Sequence, residues 1–383
     1  MSVYDVSGTQ LSSIYKVDST PLTTGYDVNG NVIYTSGSSP DYDHYDTEYQ
    51  HTILQARDVW KTEYRADDDV VPLVLSTDQH SYLNATHGKP LYDYLALALK
   101  WTEVSASLNL GDCCAGTYST TELSNMLTAL ASISATKKIN MMGNHDVWAT
   151  GSTVIDDATF TTAQNTYFDN SSYNGNSRYG NRGNEIMIDT EHKIKYICVA
   201  CWYFPDDVYY HYTYPEGAMD WLLQQLSTVD DYDIIVLSHI QPLGSSRTWY
   251  VPAVDGNPAS SSTRGRNYSS VAPYGATGMF EGLLHARKNK SSGTITDSDG
   301  VTHSYNFSSC TSDILCWLAG HEHADAYAYD GGDVPVILFD AYRYDNHPFF
   351  LINIDRTQER LNVWKIDDSP TYYNYQIPFT EQT

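Results

Sequence analysis

The apolar positions of this chain change period along its length. From Thr47 to Tyr64 they recur at helical spacing (Ile53, Leu54, Val59, Trp60), which predicts an amphipathic helix. Asp67-Asp68-Asp69 breaks the pattern, and the short apolar run Val70 to Leu75 that follows predicts a buried strand. The alternation continues with a helix around Leu91 to Ser107, a segment leading to Gly111, a helix from about Thr121 to Ser134 and a strand at Lys138 to Met142. Further strands are expected at Ile194 to Ala200, Ile234 to Ser238, Ile314 to Ala319, Val334 to Asp340 and Phe349 to Ile354. Pro215, ahead of Met219, Trp221, Leu222 and Leu226, marks a helix start, because an amide in the first turn has no intrahelical acceptor to lose. Strands alternating with helices in this order predict a layered α/β architecture.

Ahead of this body lies a short repeat. YDVSGTQLSSI from Tyr4, YKVDSTPLTTG from Tyr15 and YDVNGNVIYTS from Tyr26 each begin eleven residues after the last. Asn29-Gly30 between alternating apolar residues predicts a two-residue hairpin turn, since both central positions need positive φ. Three such units are too small to bury a core, so the segment is expected to dock on the body, on another subunit or on a larger assembly. The stretch from Ser36 to Tyr45 is rich in Ser, Gly, Pro and Asp and reads as a linker. The expected division is therefore a repeat and linker at 1–45 and a catalytic domain at 46–383. Two polar stretches, at about 151–184 and 243–308, read as insertions in that domain, the second with a hairpin at Asp299-Gly300.

Composition narrows the function classes. No apolar run reaches the roughly 18 residues that span a bilayer, and MSVYDVSGTQ lacks a basic region followed by an apolar stretch. A soluble chain with no membrane span and no signal peptide is the expectation, and the compartment stays open. The formal charge of −25 argues against long duplex nucleic acid as substrate, because backbone binding needs positive surface. Six scattered cysteines show no paired metal-ligand spacing, so reduced, mostly buried thiols are expected, including the adjacent Cys113 and Cys114.

Candidate chemistry lies in five short motifs, each at the carboxyl end of an expected strand: Asp78-Gln79-His80, Gly111-Asp112, Gly143-Asn144-His145-Asp146, His239, and Gly320-His321-Glu322-His323. Open α/β sheets place their sites at that edge. Asp and His ligands suit Mn, Fe, Zn or Ni in mixed oxygen and nitrogen sites.

The ordered series resembles the signature of the calcineurin-like metallophosphoesterases, and it covers roughly Leu73 to Trp364. The resemblance implies a four-layer α/β/β/α sandwich, here with a small β-rich N-terminal appendage. It implies two metal ions, divalent or trivalent, with Mn favoured: Asp78, His80 and His323 on one, Asn144, His239 and His321 on the other, and Asp112 bridging. It also implies phosphoester hydrolysis, as a phosphodiesterase or phosphatase, by a metal-bridging hydroxide, with His145 as general acid and Asp146 orienting its ring. The tyrosinate-bound purple acid phosphatases depart from this pattern; Tyr118 lies near the second motif, but the intact Asp78-x-His80 argues against that variant.

Around these motifs the remaining residues are read more plainly. Glu322 is expected to face solvent or support a neighbouring ligand. His44, His51, His87, His192, His211, His285, His303 and His347 fit no motif. The 243–308 stretch carries six cations (Arg247, Arg264, Arg266, Arg287, Lys288, Lys290) against four acids (Asp255, Glu281, Asp297, Asp299). It could form a lid in which Arg247, Arg264 and Arg266 hold a substrate phosphate or carboxylate. The expected partner is a small phosphoester or a phosphate-containing polymer. The alternative is a surface- or virion-associated attachment protein, docked through residues 1–45, whose phosphoesterase body binds or degrades such a polymer.

Overall fold

The computed structural model describes residues 3–4, 10–11, 24–26, 32–35, 47–80, 104–112, 137–141, 143, 185–199, 218–243, 248–252, 259–261, 280–296, 300–341, 348–366 and 372–381. The chain divides into two compact units, Met1–Asp46 and Thr47–Thr383. Among the described residues no helix is long and apolar enough to cross a membrane.

The first unit holds two small antiparallel hairpins: β1 (Val3–Tyr4) with β2 (Gln10–Leu11), and β3 (Thr24–Tyr26) with β4 (Val32–Thr35). The second pair is in register at Tyr26 and Val32, and the Asn29-Gly30 turn expected from sequence lies outside the described residues. A register shift falls between Gly25 and Tyr26.

The second unit is a mixed α/β fold. It opens with α1 (Thr47–Ala66), whose Ala56, Trp60 and Tyr64, at i, i+4 and i+8, are buried against a six-stranded sheet. That sheet contains β5 (Val70–Ser76), β6 (Ala106–Asn109), β7 (Lys138–Asn140), β18 (Phe349–Asp355), β19 (Arg360–Ile366) and β20 (Tyr373–Pro378), in the order β20-β19-β18-β5-β6-β7. β5, β6 and β7 run parallel, while β18 joins β5 antiparallel. Trp60 anchors the helix by donating from Nε1 to the Ile352 carbonyl at 3.1 Å. In return Asn353 donates to the Trp60 carbonyl at 3.1 Å and to Glu63 at 2.7 Å. Of the helix expected from Leu91 to Ser107, residues 91–103 lie outside the described residues, and Ala106 and Ser107 belong instead to β6. Ala106, Ser107, Leu108 and Asn109 are all buried, and small side chains covered on both faces suit a central parallel strand.

The eight-stranded sheet comprises β8 (Glu185–Asp189), β9 (Ile194–Cys198), β10 (Asp233–Ser238), β11 (Trp249–Val251), β12 (Ala259–Ser261), β15 (Ile314–Ala319), β16 (Ala326–Asp330) and β17 (Val334–Leu338). Its order is β12-β11-β16-β17-β15-β10-β9-β8, with β9, β10, β15 and β17 parallel. The stretch expected as an insertion at 243–308 supplies β11 and β12 to this sheet. It also supplies α3 (Leu283–Lys288) and the hairpin of β13 (Ser292–Thr296) with β14 (Thr302–Asn306). That hairpin closes between Thr296 and Thr302, bracketing Asp299-Gly300.

Two apolar clusters order these layers. One joins Leu73 and Leu75 of β5, Leu108 of β6 and Ile352 of β18 to Tyr196, Ile235, Leu237 and Leu318 of the other sheet. The second joins the opposite face of the eight-stranded sheet (Ile197, Val236, Trp317, Val336) to α2 (Ala218–Leu226) and α3 through Trp221, Leu222, Leu226 and Leu284. Most of the parallel strands (β5, β10, β15 and β17) therefore read as near-continuous apolar runs, and polar residues gather at the carboxyl ends of the parallel strands.

Candidate metal centre

Four loops at those carboxyl ends carry the candidate residues. Thr77 to His80 follow β5, Leu110 to Asp112 follow β6, His239 follows β10, and Gly320 to His323 follow β15. Backbone hydrogen bonds zip the loops in pairs. Asp78 N donates to Gly111 O at 2.9 Å, His80 N to Asp112 O at 2.8 Å, and Gly320 N to His239 O at 3.0 Å.

The backbone at these loops is unusual. Among the described residues the non-glycine positions with positive φ are Asp78, His80, Asp112, His321 and His323, together with Lys193, Lys290 and Glu359 elsewhere. Such conformations cost roughly 1–3 kcal/mol each and gather where surrounding structure imposes them. The motif glycines have a related cause. A Cβ on Gly320 would sit 2.6 Å from Asp78 Oδ2, and one on Gly143 would sit 2.8 Å from Asp112 Cγ, so each carboxylate lies against bare backbone.

Six side chains converge. Asp78, Asp112 and His239 are almost wholly buried, with His80 and His321 close behind. His323 Nε2 lies 3.1 Å from Asp78 Oδ1 and 3.0 Å from His80 Nε2. His80 Nε2 lies 3.7 Å from both Asp78 Oδ1 and Asp112 Oδ2. His239 Nε2 lies 3.2 Å from Asp112 Oδ2 and 3.2 Å from His321 Nδ1. The donors form two groups, Asp78, His80, Asp112 and His323, and Asp112, His239 and His321, each with its ligand atoms within 4.8 Å of one another and both sharing Asp112.

This arrangement fits cations. His239 Nδ1 lies 2.8 Å from the Leu110 carbonyl, which can only accept, so Nδ1 carries the proton and the neutral ring turns a lone pair toward Asp112. Lone pair against carboxylate is repulsive unless a proton or a metal ion lies between them. Burial lowers the His239 pKa, but Asp112 and Asp78 outweigh it and raise it to about 9. Burial and then His239 push His321 down to about 3, leaving it neutral, the form that ligates metal. Burial raises both carboxyls, yet the neighbouring histidines, His239 first, hold Asp78 well below and Asp112 below the usual carboxylate range. Two ionised carboxylates and convergent imidazoles are a donor set suited to divalent first-row metals.

Residues outside the motifs complete the site. Thr77 Oγ1 donates to Asp78 Oδ2 at 2.6 Å and the His321 amide donates to the same oxygen at 2.9 Å. Oδ1 is thereby left to face the histidines. Gln79 turns away from the centre and donates to Asn109 Oδ1 and Ser76 Oγ, both at 3.0 Å, while Asn109 donates to Asn140. This amide ladder ties the ends of β5, β6 and β7. Nothing in a single sequence marks Thr77 or Asn109, since hydroxyl and amide residues end many strands.

The other candidates fall elsewhere. Asn144, His145, Asp146, Arg247, Arg264, Arg266, Tyr118, Cys113 and Cys114 lie outside the described residues. Glu322 is half-buried and accepts from Gln241 at 3.4 Å. Arg287, counted among the cations of the expected lid, is instead fully buried under α2, donating to the Leu226 and Ser312 carbonyls at 2.8 Å each. His192, His285 and His303 pair with Asp189, Asp333 and Asp220 at 2.8, 2.9 and 2.6 Å, away from the centre. Asp189, Glu191 and His192 form a further group of potential ligands, but Lys137 Nζ at 2.8 Å already neutralises Asp189.

No family model matches the chain, and no curated protein matches it. Among solved structures it is similar to a dimetal phosphatase from Danio rerio, at 12% identity over 81% of this chain and 99% of that one, with a TM-score of 0.48. It is similar to the purple acid phosphatase PPD1 from yellow lupin (Lupinus luteus) seeds, at 12% identity over 81% of this chain and 54% of that one, with a TM-score of 0.47. It is also similar to TT1561 of Thermus thermophilus, at 10% identity over 80% of this chain and 98% of that one, with a TM-score of 0.38. Two of these neighbours are described as phosphatases, one of them dimetal, and this chain carries its own candidate metal-binding cluster.

Proposed function

We propose that this chain is a metal-dependent phosphoester hydrolase with a dinuclear centre. The observation that carries the proposal is the convergence of two buried carboxylates and four histidines into two ligand groups that share Asp112. Asp78, His80 and His323 would hold one ion, and His239 and His321 with Asn144 the other, Asp112 belonging to both groups. When bound, two such ions lower the pKa of a water molecule toward neutrality and offset charge on the attacking and leaving oxygens of a phosphoryl group. Mn is the favoured metal.

The chain's own residues then bind and move protons. His145 donates a proton to the leaving oxygen and Asp146 orients its ring, a role that adds about 10²–10⁴ in rate and matters most for poor leaving groups. His145→Ala is accordingly expected to slow alkyl esters far more than nitrophenyl esters. Arg247, Arg264 and Arg266 would hold a substrate phosphate or carboxylate. The body at 46–383 is a four-layer α/β/β/α sandwich, a reading supported by α1 on the outer face of one sheet and α2 and α3 on that of the other. The substrate is a small phosphoester, monoester or diester, or a phosphate-containing polymer.

The test is hydrolysis of bis-nitrophenyl phosphate and nitrophenyl phosphate by metal-stripped protein, with Mn, Zn, Fe, Ni or Mg added back and Asp112→Asn alongside. Turnover that returns with a metal and is lost in the variant is the expected result. No turnover with any metal, with two ions bound per chain, would move the reading to a binding role.

A second reading adds to the first. Met1–Asp46 forms a compact unit of its own built from small hairpins. As an N-terminal β-rich appendage it would attach the phosphoesterase body to a surface or virion. Deleting residues 1–45 should then abolish assembly and spare turnover; a deletion that abolishes turnover would mean one integrated enzyme.

A further inference from the structure

The ligands of the proposed centre come from both sheets. Asp78, His80 and Asp112 follow strands of the six-stranded sheet, while His239, His321 and His323 follow strands of the eight-stranded sheet. Neither sheet alone holds a complete group, so the spacing of the two sheet edges sets the spacing of the ligands. Most of what lies between the sheets is apolar and has no directional preference.

Besides the contacts among the ligands and their loops, a salt-bridged tie crosses at this edge. Lys365, on β19 of the six-stranded sheet, places Nζ 2.6 Å from Asp325 Oδ2 and 2.7 Å from Asp340 Oδ2. Asp340 follows β17 of the eight-stranded sheet, and Asp325 ends the loop that carries His321 and His323. Asp325 also accepts from the Asp340 amide at 3.1 Å through its other oxygen, and Phe339 N donates to Ala319 O at 3.1 Å beside it. The histidine loop is thus gripped at both ends. It begins at the β15–β17 edge and ends on a carboxylate held by an ammonium group from the opposite sheet. Between the two grips His321 and His323 adopt φ of 70° and 51°, a backbone that persists only under external constraint.

We infer that Lys365, with Asp325 and Asp340, is a cross-sheet positioning clamp that holds His323 in register with Asp78 and His80. The inference rests on the dinuclear reading above. His323 is the sole contribution of the eight-stranded sheet to its ligand group, whereas two histidines of that sheet serve the other group. Loss of the clamp therefore weakens the Asp78, His80, Asp112 and His323 site first.

The test compares metal-stripped wild type, Lys365→Met/Asp340→Asn and Lys365→Arg by titration with Mn²⁺. Bound ions are counted, and the electron paramagnetic resonance signal of a coupled Mn pair is followed. The double variant removes one positive and one negative charge, so the net charge of the cluster is unchanged and geometry alone is tested. Wild type is expected to bind two ions. In the double variant the weaker of the two dissociation constants should rise about tenfold or more, with the coupled-pair signal lost at a loading that saturates wild type. Lys365→Arg, whose guanidinium can reach both carboxylates, should retain two ions. If the double variant does not fold, Asp340→Asn alone is read the same way, with a smaller rise in the same constant expected. Titration curves that match wild type in the folded variant overturn the clamp while leaving the dinuclear centre standing. Wild-type protein that binds no Mn²⁺, Co²⁺ or Zn²⁺ overturns the centre and the clamp together.

Discussion

Gly320→Ala tests the close approach on which the site depends. The added methyl would stand 2.6 Å from Asp78 Oδ2 and against the Thr77 hydroxyl, neither of which is the free end of a flexible chain. Asp78 Oδ2 is fixed by the Thr77 hydroxyl and the His321 amide, so it cannot swing aside without breaking one of them. Relief to ordinary contact needs a shift of about 0.8 Å or more between the β5 and β15 edges, and overpacking of this kind costs roughly 1–3 kcal/mol. With roughly 2 cal/mol/K of unfolding entropy per residue over more than 300 residues, that lowers Tm of the metal-free protein by only about 1.5–5 °C.

The larger effect falls on metal. Displacing the supports of a ligand typically weakens metal binding 10- to 100-fold. A tenfold rise in Kd removes about 1.4 kcal/mol of the stabilisation that saturating metal gives. Differential scanning calorimetry with and without Mn²⁺ separates the two contributions: the variant should lose a few degrees as apo-protein and gain less than wild type when metal is added. A variant with a lower Tm but the same metal-induced gain would refute the link between this glycine and the ligand geometry.

Three further outcomes are expected. Trp60→Ala should cost about 3–5 kcal/mol, because it empties a fully buried site under α1 and removes the indole donor to the Ile352 carbonyl; urea denaturation measures it. Asp189 is held below the usual carboxylate range, since burial, which raises it, is outweighed by His192, Lys137 and Ser105. Its contribution is therefore complete above the ordinary aspartate pKa of about 4 and is lost as pH falls through the depressed folded value, so the Tm difference between wild type and Asp189→Asn should close as pH falls toward 2. Cys316 is fully buried and its thiol is pushed well above the usual range by that burial, so mass mapping after thiol labelling of native protein should find it unmodified until the protein unfolds.

What the sequence made legible was what repeats locally. Val70–Ser76 is apolar throughout because both of its faces are covered, and such a run reads as a buried strand without any tertiary knowledge. The motif glycines are legible for a similar reason, since a Cβ would strike Asp78 or Asp112 and the residue type records the contact. β6 reads in the sequence as the end of a helix because Ser105, Ala106 and Ser107 carry no strand signal; it is the burial of both faces that makes small residues fit there. β16 reads Ala-Tyr-Ala-Tyr-Asp and β19 Arg-Leu-Asn-Val-Trp-Lys-Ile, and these runs became strands of the two sheets through neighbours the sequence does not display. Arg287 counts as a lid cation in the sequence, yet its charge is spent on carbonyls at the end of α2 and on Ser312. Thr77, Asp325, Asp340 and Lys365 gain their roles only from contacts formed by the fold.

The division of the ligands between two sheets ties folding and chemistry together. In the unfolded chain Asp78 and His323 are separated by 245 positions, and no local turn can assemble them. They meet only after the apolar faces of both sheets have closed on one another, so a metal ion finds its full donor set in the native state alone and stabilises that state by mass action. The converse also holds. Two ionised carboxylates buried beside lone-pair nitrogens oppose closure unless a positive charge joins them. In the metal-free protein a proton on His239, whose pKa is raised to about 9, supplies that charge, and a bound ion would take its place. Competition between proton and metal at one nitrogen, in a chain that otherwise carries a charge of −25, makes the centre a place where positive charge is demanded locally. That demand is the physical basis for reading it as a site that takes metal first and an anionic phosphoester afterwards.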